Sequence, residues 1–186
     1  MLVKDVIRSA MRLVGRGDIC ELLSSEGQLP EEQGAAVQTM LYCYNAVEDE
    51  LARRHFPLTA TDKLTSNSGT YYFARFYHTP IKINRVYSGG ARVKYKIFSE
   101  YLKADYPSVE VEYDYSPAKK SLTGSCEFEG LDLGEMLFAY GCAAEYSLIN
   151  GEIRSAELWE SKYRQAVDGA RKNLPQYSDI PPRRWV

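Results

Sequence analysis

Residues 81–97 read Ile81-Lys82-Ile83-Asn84-Arg85-Val86-Tyr87-Ser88-Gly89-Gly90-Ala91-Arg92-Val93-Lys94-Tyr95-Lys96-Ile97. Ile81, Ile83 and Tyr87 lead into the glycine pair, and beyond it Ala91, Val93, Tyr95 and Ile97 alternate with Arg92, Lys94 and Lys96. A period of two puts the two sets of side chains on opposite faces of a strand. Two adjacent glycines supply the positive φ values that a tight hairpin turn needs. The stretch therefore predicts a β-hairpin with Lys82, Arg92, Lys94 and Lys96 as a basic row. A second run, Val109-Glu110-Val111-Glu112-Tyr113-Asp114-Tyr115, alternates as cleanly, and Pro117 helps to stop it. With flanking runs at 58–65 and 70–76, residues 57–124 predict a small antiparallel sheet with one buried face.

On both sides of this segment the period changes to that of a helix. Leu2, Val3, Val6, Ile7, Ala10, Met11, Leu13 and Val14 form an amphipathic stripe that Gly15-Arg16-Gly17 interrupts. Asp18 is placed to cap a short turn through Leu23, and residues 24–29 read as a loop. Pro30, followed by Glu31 and Glu32, suits the start of a longer helix. That helix carries Val37, Met40, Leu41, Tyr44, Val47 and Leu51 on one face and ends near His55. Beyond the β segment, Asp132 is placed to cap a run holding Met136, Leu137, Tyr140, Ala143, Ala144, Tyr146, Leu148 and Ile149. Asn150-Gly151 then turns the chain into a helix with Ile153, Ala156, Leu158, Trp159, Tyr163, Ala166, Val167 and Ala170 as apolar positions. So short a connection makes the two helices antiparallel neighbours. The expected fold class is α+β, a helical bundle with a small antiparallel β-domain inserted between its N-terminal and C-terminal helices. The expected divisions are 1–56, 57–124, 125–173 and an extended arm, 174–186, that contains Pro175, Pro181 and Pro182.

Composition narrows the function. The chain has 186 residues, 45% hydrophobic and 26% charged, which is ordinary globular usage and a size at which a core forms without a disulfide or metal staple. No apolar run reaches membrane-spanning length, and the first sixteen residues carry charges throughout, so neither a membrane anchor nor a secretory leader is expected. A net charge of −2 argues against a surface that wraps nucleic acid as a whole. The charge is unevenly divided: residues 57–124 hold 10 Lys and Arg against 6 Asp and Glu, whereas the remainder is acidic. The chain has 15 Tyr against 6 Phe and 2 Trp. Nine of the tyrosines lie in the β segment, more phenols than a small core holds with every hydroxyl satisfied. Tyr71, Tyr72, Tyr77, Tyr101 and Tyr106 are thus candidates for an interface with another subunit.

The sequence offers little to catalysis. Cys20, Cys43, Cys126 and Cys142 have no zinc spacing; Cys43 and Cys142 sit in helical patterns suited to small buried thiols, and a reducing cytoplasm during synthesis is expected. His55 and His78 have no local nucleophile partner, and neither glycine pair belongs to a nucleotide-binding motif. Glu110, Glu112 and Asp114 share a strand face and are expected to pair with the basic row or with solvent, not with a metal. No enzyme activity, cofactor or metal is expected.

The layout as a whole resembles the head-to-tail adaptor proteins of tailed bacteriophages and the related tubular tail proteins of short-tailed phages. Phe138-Ala139-Tyr140-Gly141-Cys142-Ala143-Ala144-Glu145-Tyr146-Ser147-Leu148-Ile149-Asn150-Gly151, followed by Ala156-Glu157-Leu158-Trp159-Glu160-Ser161-Lys162-Tyr163-Arg164-Gln165-Ala166, is similar to that family's final helical pair. The β pattern of Ile81 to Val86, Val93-Lys94-Tyr95 and Val109 to Tyr113 is similar as well. The resemblance implies a homo-oligomeric ring of twelve copies in the virion neck, joining the portal protein to a downstream tail or nozzle protein and passing genomic DNA through its lumen. It also implies a portal-docking arm, here Arg171, Lys172, Pro181, Pro182, Arg183, Arg184, Trp185 and Val186, assembled in the host cytoplasm. The alternative expectation is a phage or mobile-element module whose basic β-face, Lys82, Arg92, Lys94 and Lys96, contacts nucleic acid without sequence specificity.

Overall fold

The computed structural model describes residues 1–24, 30–128, 130–131 and 133–173. The protein is α+β, with five α-helices and two antiparallel sheets among the described residues. Helix α1 (Val3–Leu13) buries Val3, Val6, Ile7, Ala10 and Met11, the stripe that its spacing dictates. Helix α2 (Gly17–Ser24) begins one residue before Asp18. Asp18 is therefore inside the first turn, where both its oxygens meet the Arg16 guanidinium at 3.1 Å, instead of serving as the expected cap. Helix α3 (Glu31–Glu50) runs into a π-helical turn at Leu51–His55. Helices α4 (Glu135–Ile149) and α5 (Ile153–Asn173) follow the β segment. The expected cap Asp132 and the expected loop residues 25–29 lie outside the described residues.

One hydrophobic core is shared by both ends of the sequence. It holds the buried faces of α1, α2 and α3 together with Phe56, Cys126, Phe128, Leu137, Phe138, Cys142, Tyr163 and Val167. Tyr44 stacks on Phe138 at 5.8 Å within it. Helix α4 approaches both α3 and α5 through Gly141, where a Cβ would lie only 2.9 Å from Val47 and 3.1 Å from Tyr163.

A separate core holds Tyr71, Phe76, Ile83, Val86, Val93, Leu102, Ala104, Val109, Val111 and Tyr113. Its strands are β1 (Leu58–Thr65), β2 (Thr70–Tyr72), β3 (Pro80–Ser88), β4 (Ala91–Arg92), β5 (Lys96–Ile97), β6 (Tyr101–Lys103) and β7 (Ser108–Tyr115). They form two sheets, ordered β1-β7-β3-β4 and β2-β6-β5, where a single sheet was expected. The hairpin turn is present, with Gly89 and Gly90 at φ 57° and 81°, but its return strand is short. After Arg92 only the Val93 N–H still reaches β3, donating to the Val86 carbonyl at 2.9 Å, and the chain then crosses to pair with β6. Alternation dictates which face a side chain occupies; it does not dictate which strand its backbone pairs with, so 91–97 reads as one strand while serving two sheets.

The charged rows also pair differently from the expectation. Strand β7 is central, and its Glu110, Glu112 and Asp114 lie opposite Lys63, Thr61 and Thr59 on β1 and Tyr87, Arg85 and Lys82 on β3. The acidic row thus adjoins Lys63, Lys82 and Arg85, and Asp114 accepts hydrogen bonds from Asn84 at 2.6 Å and Thr59 at 3.1 Å. Arg92, Lys94 and Lys96 are elsewhere.

Candidate functional site

The crossing of the chain from β4 to β5 builds a surface concavity of about 690 Å³, lined by Arg92, Val93, Lys94, Tyr95, Lys96, Phe98, Lys103, Ala104 and Asp105. Three of the four expected basic residues are gathered there, and Lys103 joins them. Lys82 is not among the lining residues; it is paired in register with Asp114. Lys96 and Lys103 are directly opposed across β5 and β6. Like charges in that position repel, and among the described residues no ion pair includes Arg92, Lys94, Lys96 or Lys103. Asp105 is the one acidic residue of the lining.

Aromatic side chains continue this surface. Phe98 stacks on Tyr101 with centroids 4.6 Å apart, Tyr101 tilts against Tyr72 at 5.8 Å, and Tyr72 and Phe98 are exposed; Ile97, exposed as well, is paired with the buried Leu102 and belongs to the opposite face. Tyr71 corrects the interface expectation. It is 2% exposed in the β core, and its hydroxyl donates to the Tyr106 carbonyl at 2.5 Å. In a three-residue strand, Tyr71 and Tyr72 face opposite sides, so one is core and one is surface. Tyr77 is 85% exposed and Tyr106 is exposed, while Tyr101 is half-buried. His78 stacks on Tyr115 at 3.9 Å, and its backbone N–H donates to the Tyr113 hydroxyl, which in turn donates to Asp62.

A second exposed surface lies at the turn between α4 and α5. Leu148, Ile149, Ile153 and Leu158, read from the sequence as helical apolar positions, are each more than half exposed, at 53–55%. Glu152 and Glu157 flank them, with Arg154 between. Further along α5, Trp159 lies parallel to Tyr140 at 6.1 Å, with the Lys162 ammonium over both rings. Of the expected docking arm, Arg171 and Lys172 are exposed in the last turn of α5. Pro181, Pro182, Arg183, Arg184, Trp185 and Val186 lie outside the described residues.

One face of α3 fastens the segment that returns from the sheets. Asn45 behaves like a peptide group, donating to the Lys120 carbonyl at 3.2 Å and accepting its N–H at 2.6 Å. Asp49 accepts hydrogen bonds from Ser116 and Arg53, and Lys120 pairs with Glu127. Glu48 is 1% exposed; one carboxylate oxygen accepts the Glu127 N–H at 2.8 Å and the Tyr44 hydroxyl at 3.3 Å, and the other is buried with no partner. Burial raises its pKa against the opposing pull of the Glu127 N–H and Lys120. Burial likewise pushes the Cys43 thiol up to about 12 and raises Cys126 and Cys142, the reverse of what a thiolate nucleophile requires. Among the described residues no three His, Cys, Asp or Glu converge as metal ligands, and no helix is long and apolar enough to cross a membrane.

The residues that sequence reasoning missed are Lys103, Glu48 and the exposure of the α4–α5 turn. A three-residue strand is too short to display a period, so Lys103 carried no signal. Glu48 lies four residues from Tyr44 on the apolar face of α3, and that spacing is the signal available for its burial. No protein-family model matches the chain, and no curated protein matches it.

Proposed function

We propose that this protein is a structural component of a tailed-bacteriophage neck: a helical bundle with an inserted β-domain that assembles as a twelve-copy ring, joins the portal to a downstream tail or nozzle protein and surrounds the DNA path. The observation that carries the reading is the division into cores. Helices from both ends of the sequence share one, the intervening strands build their own, and α3 clamps the return segment between them. That is the layout on which the adaptor resemblance rests. Two further observations support a role in assembly and not in catalysis. Exposed apolar residues cluster at the α4–α5 turn and on the β2-β6-β5 sheet, and burial raises the pKa of the Cys43, Cys126 and Cys142 thiols. In this reading Arg171 and Lys172 begin the arm that docks on acidic groups of the portal.

Electron microscopy of the purified chain mixed with portal rings from the same source tests the reading. The expected image is a second ring seated coaxially on the portal; bare portal rings at saturating protein overturn it. The excess of cations at Arg92, Lys94, Lys96 and Lys103, against Asp105 alone in the same lining, favours a second reading, a module that contacts nucleic acid without sequence specificity. Affinity of the isolated chain for DNA that falls steeply with salt would select it over the neck role.

A further inference from the structure

We propose that the α4–α5 turn of one copy seats on the basic, aromatic face of the β2-β6-β5 sheet of the next, an inference that rests on the neck reading and names the contact from which its ring is built. Each surface lacks what the other supplies. On the sheet, Lys96 and Lys103 oppose each other in register without an ion-paired acid, on the same face as the exposed Phe98 and Tyr72. A pair of like charges held across a ladder weakens that ladder, and an anion seated between them from outside offsets the repulsion. The helical turn carries the complement: Leu148, Ile149 and Ile153 stand exposed, flanked by Glu152 and Glu157, with Arg154 the one cation among them.

The occupant is a second copy of this chain and not a nucleic acid, because a nucleic acid would neutralise the lysines and leave the aliphatic residues of the turn uncovered. Seating the turn on the sheet covers both apolar sets and brings Glu152 against the Lys96–Lys103 pair in one contact. Two different patches meet, so the contact is heterologous and propagates from copy to copy, closing into a ring when the rotation allows. The acidic remainder of the chain and its basic β segment, −6 and +4 by formal charge, orient the encounter in the same sense.

The test uses full chains carrying either Phe98→Cys or Ile149→Cys, mixed in equal amounts and treated with a short bismaleimide, with and without portal rings. The four native cysteines are buried, and the unsubstituted chain is the control. A cross-linked dimer is expected from the mixture and not from either variant alone. Adding Lys103→Glu to the Phe98→Cys chain is expected to reduce that product at least tenfold. Adding Glu152→Lys to its partner as well restores the product to within about threefold. The Lys103→Glu chain melts at no lower temperature than the parent, since Lys96 then faces an acid, so the loss is one of contact and not of fold. Absence of a mixture-specific product in both conditions overturns the proposal, as does a product that Lys103→Glu leaves unchanged. So does single-stranded or duplex DNA binding that Lys103→Glu abolishes while the cross-link persists. A mixture-specific product from a chain that never binds portal rings sustains the contact and removes the neck reading. Portal binding without the product does the opposite.

Discussion

Glu48 joins helix to loop through a single carboxylate, and its chemistry makes the junction sensitive to pH. Because burial raises its pKa in the folded state, the folded chain holds a proton that the unfolded chain has released at the same pH. Its contribution to stability therefore falls as pH rises from the unfolded carboxylate value through the higher folded one, and is constant above that. Glu48→Gln keeps an oxygen to accept the Glu127 N–H and removes the charge. Urea unfolding should find the variant at least as stable as the parent at pH 8 and with a flatter profile between pH 4 and pH 8. Glu48→Ala instead leaves that N–H without its partner and should lose about 1–3 kcal/mol. An unchanged pH profile for Glu48→Gln would contradict the assignment. The sequence alone does not show this residue's role, because a glutamate on an apolar helical face is equally compatible with a helix edge that reaches solvent. Its burial follows from the approach of residues 126–128, more than seventy positions away.

At the scale of elements, the helices were legible and the sheets were legible in part. The stripe Val3, Val6, Ile7, Ala10 and Met11 is buried as its spacing requires, because a helix satisfies its own backbone and needs only one apolar face. Strands need partners, and a partner is a long-range fact. The run from Ala91 to Ile97 shows the consequence: its alternation is real, yet it divides between two sheets. The α4–α5 pair was legible as a hairpin, but the exposure of Leu148, Ile149 and Ile153 was not, since periodicity marks apolar residues without saying whether this chain or another covers them. Gly141 marks where α4 packs most closely. A Cβ there meets Val47 and Tyr163 inside the distance that real Cβ contacts keep. Gly141→Ala should therefore destabilise the chain by about 1–3 kcal/mol in spite of alanine's better helix propensity, read as a lower melting temperature. A rise would show that α3 and α5 yield more readily than their packing implies. At the solvated hairpin of the other sheet, Gly89→Val places a β-branched residue at positive φ and should lower stability through backbone strain, checked by the same melting experiment.

The whole molecule combines a well-filled helical core, a second core under two sheets, and two exposed apolar surfaces with opposite charge at their rims. Isolated domains rarely leave such surfaces unused. An assembly subunit requires them, and in the proposed neck role they meet between copies while the arm engages the portal. Deleting residues 181–186 should weaken attachment to portal rings while leaving the melting temperature of the chain unchanged. Equal attachment by the truncated chain would remove the arm from the account. The central claim is tested most directly by the mass of the complex formed when the purified chain is added in excess to portal rings from the same source. The account predicts a mass gain of one chain per portal subunit, with no further gain at higher excess. A folded chain that leaves the portal mass unchanged would contradict it.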